Sequence, residues 1–159
     1  MAGKLEVSFN SPQCGWMSIG FDDGTQEFHT TTSYTPHTTA LSDLLLGLTS
    51  LIEQRSEEDE FTILWSRNPE AFDLLFRREG QTVKFQLVEY PTSGRANSQA
   101  EVRFVYEGSV ATFCRSFYRT FEQLNADRDT DEFESNWNQP FPQAEFETFK
   151  SKMHTLVEK

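Results

Sequence analysis

The 159-residue chain carries 14 basic and 25 acidic side chains, a formal net charge of −11, and its aromatic residues are 15 Phe, 4 Tyr and 3 Trp. This length predicts one globular domain over residues 1–159, and the aromatic content excludes a disordered acidic tail. The charge argues against nonspecific nucleic-acid binding and against docking on an anionic membrane, because both depend on Lys and Arg. It favours a basic protein as the partner.

Three strands are predicted at the start of the chain. Leu5, Val7 and Phe9 alternate with polar residues, which is typical of a half-buried strand. Further strands are expected over 14–21 and 26–34. Asp23-Gly24 between these two segments favours a hairpin turn.

A helix follows the third strand, with Thr38 or Thr39 as its cap. Its apolar residues have helical spacing and form one stripe that faces a core. The stripe consists of Leu41, Leu44, Leu45, Leu48, Leu51 and Ile52.

Four more strands are predicted in the middle of the chain, over 61–65, 72–76, 83–87 and 102–106. A helix is the competing interpretation for 72–76. In the last of these strands, Val102 is expected on the same face as Phe104 and Tyr106.

Two amphipathic helices are predicted to close the chain, the first capped by Ser109 and the second with Pro142 in its first turn. Their stripes are Val110, Phe113, Cys114, Phe117, Phe121 and Leu124, then Phe146, Phe149, Met153 and Leu156. The predicted order is βββ-α-ββββ-α-α. Strands in blocks indicate the α+β class, with a mostly antiparallel sheet and the helices packed on it.

The negative charge is unevenly distributed. The first 60 residues carry a net charge of −8, residues 61–110 are neutral, and residues 111–159 carry −3. Two acidic segments and two nearby aromatic residues are therefore candidates for contact with a basic partner, although such charge runs often only keep a domain soluble. The candidates are Glu57, Glu58, Asp59, Glu60, Asp127, Asp129, Asp131, Glu132, Glu134, Trp137 and Phe141. Trp137 and Phe141 are alternatively expected to attach the last helix to the sheet.

Catalytic and metal-binding motifs find little support. Asp127, Asp129 and Asp131 match the start of a calcium loop, but Glu132 replaces its glycine and Asn138 its final glutamate. The three histidines lack metal-ligand spacing, and no phosphate-binding glycine loop is present. No cofactor and no metal is expected.

The two cysteines, Cys14 and Cys114, are too few for a disulfide framework, and Cys114 is expected as an inert thiol on an apolar stripe. The N-terminal residues contain no secretory apolar run, and the longest aliphatic run, 44–46, is far shorter than a membrane span. These features predict a cytoplasmic protein.

The run Cys14-Gly15-Trp16-Met17-Ser18, the hairpin after it and the leucine-striped helix resemble a bacterial family of small acidic α+β proteins without an assigned activity. More loosely, the size, acidity and pattern resemble immunity proteins of bacterial toxin–immunity pairs. That resemblance implies a cytoplasmic inhibitor that binds one cognate toxin, often a basic nuclease.

The leading hypothesis is a non-enzymatic protein-binding module that neutralises a basic toxin by occluding its active face. One alternative is a small-molecule-binding domain or an enzyme, which requires a pocket with converging polar groups. The other is a homo-oligomeric structural protein, paired through an edge strand or the last helix.

Overall fold

A computed structural model describes residues 5–9, 16–33, 40–53, 58–66, 71–91, 100–127 and 141–157. The predicted order βββ-α-ββββ-α-α and the α+β class are confirmed. The elements are β1 (Glu6–Phe9), β2 (Trp16–Asp22), β3 (Glu27–Ser33), α1 (Ala40–Glu53), β4 (Glu58–Ser66), β5 (Ala71–Glu79), β6 (Thr82–Tyr90), β7 (Glu101–Ser109), α2 (Val110–Asp127) and α3 (Gln143–Val157).

The strands form two antiparallel meanders, a three-stranded sheet in the order β1-β2-β3 and a four-stranded sheet in the order β4-β5-β6-β7. Short turns make consecutive strands neighbours. Gly24 (φ 95°) closes the β2–β3 turn and Gly80 (φ 62°) the β5–β6 turn, both in the left-handed region that favours glycine. Residues 72–76 lie in β5, so the helical interpretation of that segment was wrong.

The inner faces of the two sheets share one aromatic core with α2. The ring of Phe21 on β2 lies 5.2 Å from that of Phe85 and 5.6 Å from that of Phe104, both on the four-stranded sheet. Phe117 of α2 packs edge-on against Phe21, at 6.1 Å. The stripe predicted on α2 is buried throughout, because its apolar side chains fill the space between the sheets.

Helix α2 covers the free edge of β1. Its Ser116 hydroxyl donates to the carbonyl of Leu5 (2.7 Å), and the backbone amide of Phe9 donates to Thr120 Oγ1 (2.9 Å). An edge strand leaves every second residue's backbone groups unpaired by its own sheet, and α2 supplies partners for two of them. The predicted cap Ser109 is confirmed, since its hydroxyl accepts from the amide of Thr112 (3.1 Å).

Arg78 joins the four-stranded sheet to α1. Its side chain is only 3% exposed and donates to the carbonyls of Leu51 and Ile52, at the end of α1, and of Gly80. Helix α1 has no basic residue in its last turn, so a guanidinium from β5 complements the negative end of the helix dipole.

Two sequence predictions about the sheet need correction. Strand β4 begins at Glu58 and not at Phe61, so Glu58, Asp59 and Glu60 belong to a strand. Their backbones pair with Glu79, Arg78 and Arg77 respectively, because β5 continues far enough to extend the ladder.

Val102 does not share the core face of β7. It is 55% exposed, whereas Phe104 and Tyr106 are buried. The pairing with β6 shifts at this point, from Leu87 opposite Phe104 to Val88 opposite Val102, so that Arg103 of β7 is an extra residue. A bulge of this kind places two residues opposite one and interrupts the alternation of faces.

Candidate functional site

A cavity of about 370 Å³ lies between the outer face of the three-stranded sheet and α2. Its volume falls within the range of small-molecule pockets. Every strand of the sheet contributes two polar or small residues, and α2 contributes two more. These residues are Glu6, Ser8, Gly20, Asp22, Glu27, His29, Ser116 and Arg119.

Strand register brings three carboxylates together. Glu6 lies directly opposite Asp22, and Asp22 lies directly opposite Glu27. Their chain neighbours Val7 and Phe21 are buried in the core, and side chains alternate between the faces of a sheet. Glu6, Asp22 and Glu27 therefore form a row on the outer face, which we call the carboxylate row.

The adjacent row across the same strands consists of Ser8, Gly20 and His29. A Cβ atom on Gly20 would lie 2.5 Å from His29 Nδ1 and 3.1 Å from Ser8 Oγ. The imidazole and the hydroxyl therefore approach the glycine closely, and only glycine leaves room for both. His29 Nε2 also lies 2.9 Å from Glu27 Oε1, which links this row to the carboxylate row.

The β2–β3 turn carries a further carboxylate, that of Asp23, which is not among the residues that line the cavity. Asp23 accepts hydrogen bonds from the side chain of Gln26 (2.8 Å) and from the backbone amides of Thr25 (2.9 Å) and Gln26 (2.8 Å). These bonds, that of the Gln26 side chain above all, hold the pKa of Asp23 well below its usual range. The Gln26 side chain also donates to the carbonyl of Val105 (2.7 Å), which ties the turn to β7.

The sequence supplies almost no positive charge to this region. No Lys or Arg occurs between Lys4 and Arg55, so β1, β2, β3 and α1 contain none. The basic residue at the cavity is Arg119, which comes from α2. Among the residues that the structure describes, Arg119 has no hydrogen-bond or ion-pair partner.

The side chains at this site are better suited to binding a partner than to catalysis. Ser8, His29 and Glu27 are the residue types of a nucleophilic triad, in which the imidazole must bond the hydroxyl. Within the described chain, His29 bonds Glu27, and no hydrogen bond joins it to Ser8. The side chains of His29 and Glu27 are 60% and 61% exposed, so water competes for this pair.

Metal and thiol chemistry find no support in the described residues. In the ranges that the structure describes, no group of three or more His, Cys, Asp or Glu side chains is arranged to hold a metal ion. Cys114 is fully buried, and burial raises the pKa of its thiol to about 12 against the opposing charge of Arg78. The predicted burial of Cys114 is confirmed, whereas Cys14 and His37 lie outside the described residues.

Among the residues predicted as partner contacts, those that the structure describes do not line this cavity. Glu60 is exposed on β4, beside Glu58 and Asp59 in the chain. Asp127 ends α2, and its carboxylate accepts from Gln123 (2.6 Å). The others fall outside the described residues, namely Glu57, Asp129, Asp131, Glu132, Glu134 and Trp137.

Phe141 is only 5% exposed and packs edge-on against Phe146 of α3, with ring centroids 5.8 Å apart. It attaches the last helix to the core, which was the alternative expectation for this residue. An anchor for a partner must be accessible in the free protein, so Phe141 is removed from the candidate contacts.

The sequence interpretation missed the carboxylate row and the row beside it. Glu6, Asp22 and Glu27 are 16 and 5 positions apart in the chain, and only the strand register makes them neighbours. The available signal was the 50-residue segment between Lys4 and Arg55, which has six acidic residues and no basic one. Combined with three predicted strands, it indicates an acidic sheet face.

In comparisons with known proteins, no family model matches the chain, and no curated protein and no solved structure is significantly similar to it. Among the described residues, no helix is both long and apolar enough to span a membrane.

Proposed function

We propose that this chain is a non-enzymatic module that binds a basic protein through the outer face of its three-stranded sheet. The specific form that we favour is a cytoplasmic immunity protein that neutralises a toxin by covering its active face. The carboxylate row presents three acidic groups on this face, on strands that carry no Lys or Arg.

The observation that carries the proposal is the contrast with the four-stranded sheet. There, acidic side chains are paired on the sheet itself. Arg103 lies 3.0 Å from Glu89 and 2.6 Å from Glu101, and Arg77 lies 3.0 Å from Glu79. The three-stranded sheet carries no Lys or Arg, so its net charge is negative and its field attracts a basic partner.

The mechanism follows from this field. Lys and Arg residues that bind nucleic acid on a toxin meet carboxylates in place of phosphates, and the complementary charges raise the rate of association. Once bound, the sheet covers the toxin's substrate face. Activity is lost by occlusion, and no chemical step is needed.

The proposal is tested by expressing the product of the adjacent gene alone and together with this chain, with bacterial growth as the readout. We expect growth arrest by the neighbour and rescue by the wild-type chain. A variant with Glu6→Gln, Asp22→Asn and Glu27→Gln should fail to rescue, because the row loses its charge.

The matched control carries Glu79→Gln, Glu89→Gln and Glu101→Gln on the four-stranded sheet, and we expect it to rescue like the wild type. It removes the same number of charges, so it separates the position of the charge from its amount. Full rescue by the variant of the carboxylate row would contradict the proposed face. A neighbour without any effect on growth would remove the immunity role.

The acidic segments 57–60 and 127–134 remain predicted contacts, with Trp137 beside the second. A third variant that neutralises Glu57, Glu58, Asp59 and Glu60 belongs in the same growth assay. We expect a smaller loss of rescue than for the carboxylate row, since Glu60 pairs across the ladder with Arg77, whose charge offsets its own.

A further inference from the structure

We propose that the free edge of β7 pairs with β7 of a second copy of this chain, and that the Gln26 side chain opposes this pairing. The inference goes beyond the proposed function, because it concerns self-association through the four-stranded sheet and does not depend on the carboxylate row. It also gives the homo-oligomeric alternative a definite strand and register.

Strand β7 ends the four-stranded sheet, and part of its backbone points away from β6. The amide of Val110 donates to the carbonyl of Gln81 (2.9 Å), which continues the β6–β7 register by one step. Hydrogen-bonded pairs alternate along an antiparallel ladder. Alternate residues of β7 therefore bond β6, and Val105 and Glu107 lie between them with their amides and carbonyls directed outward.

Three of these four outward groups are unpartnered. Among the described residues, no hydrogen bond reaches the amide of Val105 or the amide and carbonyl of Glu107. By contrast, the edge of β1 is covered by α2, and β4 at the other end of the sheet contacts α1. Val102 and Val105 of β7 are also 55% and 45% exposed. An exposed strand edge with apolar side chains is typical of a site that adds a further strand.

Gln26 of the β2–β3 turn occupies the fourth outward group. Its side-chain amide donates to the carbonyl of Val105 (2.7 Å) and to the carboxylate of Asp23 (2.8 Å). Asp23 also accepts from the backbone amide of Gln26, so the turn holds this side chain where an added strand has to lie. Gln26 is exposed, and water can therefore replace its bond to Val105 when the side chain moves away.

The charges around Val105 favour a second copy as the added strand. Arg103 and Glu107 are each two residues from Val105, so an antiparallel pair centred on Val105 places Arg103 of each copy opposite Glu107 of the other. Glu107 is exposed and has no ion-pair partner among the described residues. Arg103 pairs with Glu89 and Glu101, and its five N–H donors leave some for a third carboxylate. Opposite charges directly across two strands stabilise their pairing.

Analytical ultracentrifugation of the full chain tests the role of Gln26. Gln26→Ala should lower the dissociation constant of the dimer by about tenfold or more, because two competing hydrogen bonds are lost in each dimer. Gln123→Ala is the matched control, since Gln123 is an exposed amide on α2 that also donates to a carboxylate, and it should self-associate like the wild type. Glu107→Arg, added to Gln26→Ala, should reverse the gain, because it places like charges opposite each other.

Cross-linking tests the register. Val105 lies on the twofold axis of the pair, where opposite Cα atoms are about 5.5 Å apart, a distance that a disulfide spans. In a chain that carries Gln26→Ala and Cys14→Ser, Val105→Cys should therefore give a disulfide-linked dimer on oxidation. Glu107→Cys should not, because the two copies of that position are four residues, or about 14 Å, apart along the strands. Circular dichroism checks that each variant is folded.

A Gln26→Ala chain that self-associates no more than the wild type would overturn the inference. Equally efficient cross-linking at positions 105 and 107 would overturn it as well. Both results are independent of the growth assay. Rescue of growth without the expected dimer keeps the protein-binding module and removes the pairing of β7, whereas the expected dimer without any effect on growth does the reverse.

Discussion

The outer faces of the two sheets differ in how their charged side chains are arranged. On the four-stranded sheet, Arg103 pairs with Glu89 and Glu101, so basic and acidic side chains neutralise each other locally. On the three-stranded sheet, carboxylates from three adjacent strands stand side by side, and like charges directly opposite each other destabilise a sheet. Both sheets are antiparallel meanders on one core. Under the proposed function, the acidic face attracts a basic partner, whereas the face with paired charges does not.

The largest effect on stability is expected for Arg78, the buried cation of the four-stranded sheet. Arg78→Leu should lower the free energy of unfolding by about 3–5 kcal/mol, because the carbonyls of Leu51, Ile52 and Gly80 lose their buried charged donor. Arg77→Leu, one position away and half-exposed, should cost at most about 1 kcal/mol. Urea denaturation measures both. Similar small losses would show that Arg78 is not needed to hold the sheet to α1.

The next comparison uses two glycines that accommodate a ring, one in each sheet. A Cβ at Gly108 would lie 2.3 Å from the hydroxyl oxygen of Tyr106, which is 4% exposed and stacked on Phe113. Gly108→Ala should therefore cost about 1–3 kcal/mol, the usual cost of overpacking a core. At Gly20, the exposed His29 ring can swing into solvent. Gly20→Ala should cost less than about 1 kcal/mol in the same denaturation assay. Equal losses of unfolding free energy for the two variants would contradict this difference between a buried ring and an exposed one.

The stability of the buried core should also depend on alkaline pH. Burial raises the pKa of Cys114 from 9.0 to about 12, so above pH 9 the unfolded chain loses this proton and the folded protein keeps it. The free energy of unfolding should then fall as pH rises, by about 1 kcal/mol at pH 10 from this thiol alone. The quantity to measure is the difference in unfolding free energy between wild type and Cys114→Ala from pH 7 to 11. A difference that does not change with pH would indicate a thiol open to water.

The smallest expected effect bears directly on the carboxylate row. Asp22→Asn should raise the free energy of unfolding by about 0.2–1 kcal/mol, because it relieves repulsion from Glu6 and Glu27. Asparagine can still accept the hydrogen bond that Gly24 donates to Asp22. Glu79→Gln on the other sheet should lower stability slightly or not at all, since it breaks exposed ion pairs. Thermal denaturation at low and high salt should show the gain shrinking with salt.

Local sequence patterns were sufficient to predict the architecture. The leucine stripe of α1, the aromatic stripe of α2 and the Asp23-Gly24 turn each depend on residues close in the chain, and each is confirmed. Failures occurred where a neighbouring strand decides the outcome. Val102 is exposed because the pairing of β7 with β6 leaves one extra residue on β7, and β4 starts early because β5 offers partners to Glu58, Asp59 and Glu60.

The candidate site was less predictable than the fold for the same reason. Its charge was visible, as a net −8 in the first 60 residues. Its position was not, because Glu6, Asp22 and Glu27 meet only through the pairing of three strands. Arg119 joins them from a helix about 90 positions later, held by hydrogen bonds between α2 and β1.

The most direct test of the central claim locates the binding of a cationic probe on the folded protein. We propose titrating the ¹⁵N-labelled chain with deca-lysine at low salt and following the backbone amide shifts. The largest changes should fall on β1, β2 and β3, and Glu6→Gln, Asp22→Asn and Glu27→Gln together should remove them. Changes concentrated on the four-stranded sheet, or spread evenly over both sheets, would contradict the account.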